Sequence, residues 1–136
     1  MKGIQPYLIF DGKCREAMTF YKQCIGGDLQ TMTFGEADPK TPPDAKDRLI
    51  HARLAKGETV LMASDSPPHM PVRNGDNVSL SFGCDSDGEV ESLFKSLGAG
   101  GSPTMPPHDA FWGARFAMFT DKFGMHWMLS HERKNT

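Results

Sequence analysis

The sequence lacks most of the features that announce a function. Its 136 residues carry 15 Lys and Arg against 17 Asp and Glu, a formal net charge of −2. No basic surplus is available for a nucleic-acid backbone or an anionic membrane surface, so neither partner is expected. No stretch approaches the roughly 18 consecutive apolar residues of a membrane span, and the apolar run within MKGIQPYLIF is too short for a secretory signal. A soluble, cytoplasmic protein is expected. The three cysteines, Cys14, Cys24 and Cys84, form no CxxC pair and leave an odd number, which suggests neither a disulfide framework nor a zinc knuckle; they read as reduced core residues. The five histidines, at 51, 69, 108, 126 and 131, show neither HxH nor HExxH spacing. The glycine-rich stretch Gly98-Ala99-Gly100-Gly101 follows an apolar-periodic segment instead of opening one, the wrong polarity for a phosphate cradle.

What is present is a repeat. Gly26-Gly27 and Gly100-Gly101 lie 74 residues apart, each pair closing a helix-like pattern and preceding a strand-like one. The same offset lays Phe10-Asp11 on Cys84-Asp85 and Phe20 on Phe94. A fold unit written twice has to be recognised before single motifs, because duplication tells where a shared site would lie.

Each half reads as βαβββ. In the first, residues 3 to 10 alternate as a strand, and apolar positions from Cys14 to Ile25 form one helical stripe ended by Gly26-Gly27. Strands are expected at 29 to 36, 49 to 54 and 59 to 64, the last two joined by a turn at Lys56-Gly57-Glu58. The proline-bearing segment Glu36 to Asp47 reads as a loop without core residues, lying over a surface or a site entrance. Ser66 to Gly75, with three prolines, reads as the linker. In the second half the strand around 77 to 84 is followed by Ser86-Asp87-Gly88-Glu89, a capping box that opens a helix carrying Val90, Leu93, Phe94 and Leu97. Strands at 102 to 106, 112 to 120 and 126 to 131 complete it, with a turn at Asp121 to Gly124. The fold class is therefore α+β, a single domain over 1 to 136 with one module at about 1 to 65 and another at about 77 to 132. Two such units can bury their helices on the outer face of a cupped mixed sheet and leave a concave face for a small molecule. With Val78, Leu80 and Phe82 under the helix, Asn77, Ser79 and Ser81 face the cup, and the 74-residue offset brings Gln5 and Tyr7 to the positions of Ser79 and Ser81.

The pieces Pro6-Tyr7-Leu8-Ile9-Phe10-Asp11-Gly12, Glu16 to Tyr21, His51-Ala52-Arg53-Leu54, Leu61 to Asp65, and the Phe111-Trp112-Gly113…Asp121-Lys122-Phe123-Gly124-Met125-His126-Trp127 block carry a resemblance. Together they resemble the PhnB-like branch of the vicinal oxygen chelate superfamily, which includes glyoxalase I, bleomycin-resistance proteins, fosfomycin-resistance enzymes and extradiol dioxygenases. The resemblance spans almost the whole chain and speaks to fold more than to reaction. It implies up to four metal ligands, one on the first and one on the last strand of each module. Those positions fall at Gln5, Met62, Ser79 and Met128, of which only Gln5 is a conceivable ligand; thioethers are poor partners for hard or borderline cations. No metal or other cofactor is therefore expected. A substitute metal set would have to draw on His51, Asp65, His108, Asp109 and His126.

His51 is the best candidate for chemistry, as hydrogen-bond donor or general base, on a strand face shared with Leu49 and Arg53. Ligand-pocket candidates are Gln5, Tyr7, His51, Met62, Ser79, Trp112, Trp127 and Met128. Either tryptophan would stack on a planar ligand or fill a core or seam. Arg115 would bind an anionic group or pair with a surface carboxylate. His69 and His131 read as a loop and a solvated tail residue. The resemblance also implies a homodimer, with Phe111, Trp112 and Phe116 at the seam. The expected function is metal-free small-molecule binding. The alternatives are a lyase, isomerase or dioxygenase with a non-standard metal set around His51, acid–base chemistry at His51 without metal, and a dimeric accessory protein. A methyltransferase label attaches to some relatives, but no glycine-rich strand-to-helix loop for adenosylmethionine is present here.

Overall fold

The computed structural model describes residues 1–133 and divides into two compact units, Met1–Arg73 and Asn74 onward. The first runs β1 (Tyr7–Phe10), α1 (Cys14–Ile25), β2 (Asp28–Thr33), α2 (Phe34–Ala37), β3 (Leu49–Lys56) and β4 (Thr59–Asp65). The second runs β5 (Leu80–Gly83), α3 (Asp87–Leu97), β6 (Ser102–Asp109), β7 (Ala114–Thr120) and β8 (His126–Glu132). Each unit holds one four-stranded mixed sheet, ordered β1-β4-β3-β2 and β5-β8-β7-β6, whose first and last strands run parallel. The fold class is α+β, and the duplication is complete at the level of topology. No helix among the described residues is long and apolar enough to cross a membrane.

Helix α1 buries Cys14, Ala17, Met18, Tyr21 and Ile25 against its sheet, and α3 buries Val90, Leu93 and Leu97 against the other. Facing them are Phe10, Ala52, Leu54, Leu61 and Ala63 in the first unit, and Ala117, Phe119, Trp127 and Leu129 in the second. At ~1.5–3 kcal/mol for each large side chain taken out of water, this helix-on-sheet contact is the main cohesive term in each unit. It also leaves the other face of each sheet without a helix.

The repeated glycine pairs have a common physical cause. Gly27 has φ +101°, and a Cβ there would lie 2.5 Å from the Ala55 carbonyl oxygen; a Cβ on Gly101 would lie 2.1 Å from that of Thr120. Each glycine lets the chain leaving the helix pass against the third strand of its own sheet.

Several boundaries differ from the expected ones. The first strand begins at Tyr7 and not at residue 3: Pro6 offers its carbonyl to Met62 N–H at 3.2 Å but has no N–H to extend the ladder. The second strand stops at Thr33, whose hydroxyl accepts from Glu36 N–H while Glu36 caps Thr33 N–H, so 34 to 36 belong to the short helix α2. The loop that follows contributes a core residue after all, Ala45. Strand β5 is shorter than read, and Val78 is exposed instead of lying under α3. Ser86 caps α3 as expected through Glu89 N–H, but the Glu89 carboxylate takes Asp85 N–H, one residue further out. Strand β6 runs on through Pro103, Pro106 and Pro107, tolerated because it is an edge strand with two register shifts. Trp112 falls in the turn ahead of β7 and not on the strand.

Candidate functional site

Strand alternation settles which side chains leave the helix-free face of the first sheet. Ala52 and Leu54 are buried on the α1 side, so His51 and Arg53 take the opposite face. The register then places Tyr7 beside Met62, Met62 beside Arg53, Arg53 beside Gln30, and His51 beside Met32. Tyr7 Oη reaches His51 Nδ1 at 3.1 Å, with the ring centroids 5.8 Å apart. The result is an open surface on which Tyr7, Ile9 and Met32 are exposed around one polar pair, while Met62 and His51 are half-buried. Such a Tyr–His contact can pass a proton or offer a ligand two polar contacts from one place. Leu49, read as sharing this face, does not: a register shift at Met32/Thr33 breaks the alternation, and Leu49 is fully buried with its N–H on Asp65 Oδ2 at 2.9 Å.

The corresponding face of the second sheet carries Ser81 beside Met128 and Met128 beside Met118. The Tyr7–Met62 and Ser81–Met128 pairs are the same position in the two units, with Tyr7 and Ser81 separated by the 74-residue offset and the methionines matched by register. On this face Phe116 is buried, covered edge-on by Trp112 at 5.3 Å and by His108 at 6.0 Å. His51 and Arg53 of one unit are thus matched by Phe116 and Met118 in its duplicate.

The remaining candidates are not gathered into either face. Gln5 is exposed ahead of β1, and Ser79 is half-buried ahead of β5. Trp127 lies in the second core, 4% exposed, stacked on Phe119 and donating its indole N–H to Asp121 Oδ2 at 2.8 Å; it is a core residue, not a pocket residue. Trp112 is half exposed and packs edge-on with Phe111 and Phe116, so it does not fill a core.

The residues of the substitute metal set are engaged elsewhere. Both oxygens of buried Asp65 accept backbone N–H groups, from Cys14 (3.0 Å) and Leu49 (2.9 Å), which ties the start of α1 to β3. His126 Nε2 donates to the Gly75 carbonyl at 2.7 Å while Nδ1 meets Thr120 Oγ1 at 2.9 Å. His108 Nδ1 donates to the Pro106 carbonyl. Asp109 pairs with Arg115 and Arg133, and these guanidinium hydrogen bonds hold its carboxyl below the usual carboxylate range. Among the described residues, no group of three His, Cys, Asp or Glu lies close enough to hold a metal.

Arg115 pairs with Glu91 and Asp109, so the surface-pairing alternative is the one realised. His131 is no solvated tail residue: it sits on β8 with Nδ1 2.8 Å from Asp87 Oδ1, and Arg133 grips the same carboxylate. Those hydrogen bonds, Arg133 first and His131 second, lower the Asp87 carboxyl to about 2. Burial pushes the thiols of Cys14 and Cys84 up to about 12, so neither is a nucleophile at neutral pH.

The profile of the Glyoxalase/Bleomycin resistance protein/Dioxygenase superfamily matches residues 3–129. The chain belongs to that superfamily. Protein PA1353 from Pseudomonas aeruginosa is 47% identical and superposes with a TM-score of 0.85, covering 97% of this chain and 100% of its own. A PhnB protein from Bacillus cereus, described as a putative 3-demethylubiquinone-9 3-methyltransferase, is 25% identical with a TM-score of 0.77, covering 94% of this chain and 98% of its own. Protein YjdN of Escherichia coli (strain K12) is 29% identical over 141 residues, 93% of each chain. The metal implied for this superfamily can be tested against the donors present. The register puts Tyr7 rather than Gln5 beside Met62, and Ser81 rather than Ser79 beside Met128. A phenol with a thioether and a hydroxyl with a thioether do not make a divalent-metal site, so the residues of this superfamily member do not fit the group.

Proposed function

We propose that this chain is a PhnB-like small-molecule-binding protein that works in the cytoplasm as a homodimer and without the superfamily's metal. Its ligand is held on the helix-free face of the β1-β4-β3-β2 sheet. The observation that carries the reading is the Tyr7–His51 contact at 3.1 Å, set among exposed Tyr7, Ile9 and Met32 on a sheet face that no helix of its unit covers. Apolar surface with a few convergent polar groups is what a small organic ligand needs. Thioethers at both last-strand positions support the metal-free part of the proposal, and an aromatic tip at Phe111 and Trp112 supports the dimer.

A second reading keeps the same residues and makes them catalytic. His51 with Tyr7 as hydrogen-bond partner is a candidate general base for a proton transfer that needs no metal. The methyltransferase description carried by the Bacillus cereus relative finds no support in a glycine-rich strand-to-helix loop here.

Elemental analysis of protein purified without a histidine tag, followed by calorimetric titration with Zn²⁺, Ni²⁺, Mn²⁺ and Fe²⁺, tests the proposal. No stoichiometric metal is expected, and none acquired on titration. Near-stoichiometric metal that disappears in His51→Ala would overturn the metal-free reading and point to a chelate enzyme rebuilt around that residue.

A further inference from the structure

The ligand-binding reading leaves open what kind of molecule the first sheet selects, and one side chain bears on it. Arg53 projects from the middle of β3 on the same face as His51, exposed, between Met62 on one side and Gln30 on the other. Among the described residues it makes no hydrogen bond or ion pair, and the Gln30 amide is equally unengaged. The other arginines on or beside strands behave differently. Arg48 is committed to Asp11 and the Ser66 carbonyl, Arg115 to Glu91 and Asp109, and Arg133 to Asp87 and Asp109. The acid nearest in register on this face is Asp28, at the strand edge beside Ala55, and it forms no ion pair with Arg53. In the duplicate unit the matching position, beside Met128, is Met118. The cation is thus a feature of one unit and not something the fold requires at that position.

A guanidinium standing open on a strand, flanked by an amide and by an apolar methionine and two residues from a polar Tyr–His pair, is arranged to take a planar or tetrahedral oxyanion. We infer that the ligand of this face carries an anionic group, either a planar carboxylate or a tetrahedral oxyanion. Arg53 takes its oxygens, Gln30 contributes an amide N–H, and the Tyr7–His51 pair and Met62 contact the neighbouring part of the molecule. This inference rests on the proposal that the first sheet's helix-free face is the ligand site.

The test uses three probes on one ring: benzoate, phenylphosphonate and neutral benzamide. Each is titrated into protein labelled at its methionine methyls, with Met32 and Met62 assigned by Met→Leu variants. Benzoate or phenylphosphonate should shift the Met62 and Met32 methyls saturably, at least about 10-fold more tightly than benzamide, as a charge-assisted contact warrants. Arg53→Met should remove that preference, so that within the variant benzoate and phenylphosphonate bind no more tightly than benzamide. A difference between benzoate and phenylphosphonate would tell a planar from a tetrahedral oxyanion within the same inference. If benzamide shifts the same methyls as tightly as the anions, or Arg53→Met retains the preference, the anion inference fails while the site stands. If no probe moves Met62 or Met32 at tens of millimolar, the site itself is wrong and the inference falls with it.

Discussion

Trp127 gives its indole N–H to Asp121 Oδ2 inside the second core, while Asp121 Oδ1 accepts from Phe123 and Met125 in the turn before β8. Trp127→Phe keeps most of the ring volume but removes a charge-assisted buried hydrogen bond, and should cost about 1–3 kcal/mol in urea unfolding followed by circular dichroism. Trp112→Phe, at a half-exposed ring, should stay within about 0.5 kcal/mol. Equal costs at the two positions would contradict the separation into a core ring and a surface ring, and acrylamide quenching of each single-tryptophan variant gives an independent check. Residue chemistry alone did not distinguish the two rings. What decides is the register, which pairs Trp127 with Phe119 on the α3 side and leaves Trp112 in a turn. Tyr7 and His51 present the converse case. Their pair is exposed, so Tyr7→Phe should barely change the melting temperature while it weakens ligand binding on that face; a large loss of stability would mean the contact is structural.

The elements owe much to local signals that survive in both copies. Gly27→Ala and Gly101→Ala should each destabilise by more than about 1 kcal/mol, because the added methyl runs into the backbone of the third strand of its own sheet. Gly57→Ala, at φ +57° with open space around it, should cost only the ~1 kcal/mol of the left-handed conformation. If Gly101→Ala were as mild as Gly57→Ala in thermal melts, the close approach would not be what the pair is for. These glycines, the stripe of α1 and the Ser86 cap were legible because each is written in neighbouring residues. The capping box Thr33-Phe34-Gly35-Glu36 was equally legible but was read as strand, since Thr31 to Phe34 also suits a strand and the two patterns overlap. At the start of α3, Asp87 holds Arg133 and His131 from β8 and its segment, with Arg133 also bound to Asp109 of β6. Its folded carboxyl lies near 2, below the ordinary 3.8, so its stabilising contribution is present above about pH 4 and disappears as pH falls toward 2. The melting-temperature difference between wild type and Asp87→Asn should therefore be largest near neutral pH and shrink between pH 5 and 2.5. A difference that stays constant across that range would remove the carboxylate from the account. Its partner His131 reads as solvated in the sequence because the Asp87 carboxylate it meets lies 44 residues away along the chain.

For the molecule as a whole, the duplication made the architecture readable: the 74-residue offset and the matching pairs Tyr7–Met62 and Ser81–Met128 describe the same position in two units. The candidate site was only half readable. Tyr7, His51 and Met62 could be named from alternation, but Gln30 and Met32 join them through the pairing of β2 with β3, which no local pattern encodes. Assembly is the least local property of all, and the exposed aromatic tip is a physical lead to it. Phe111 is 98% exposed and Trp112 49%, edge-on at 5.0 Å, while Phe116, against Trp112 and His108, is buried and so is not available to a seam. Leaving two adjacent aromatics in water forfeits several kcal/mol of burial that a second copy can recover, since an isologous contact presents the same tip twice. Sedimentation velocity at micromolar concentration should therefore find about twice the 15.0 kDa chain mass. The double variant Phe111→Ser/Trp112→Ser should sediment as a folded monomer, because its core rings Phe119 and Trp127 are untouched. A monomeric wild type would sink the dimer proposal, and a dimer that survives the double substitution would move the seam to a different surface.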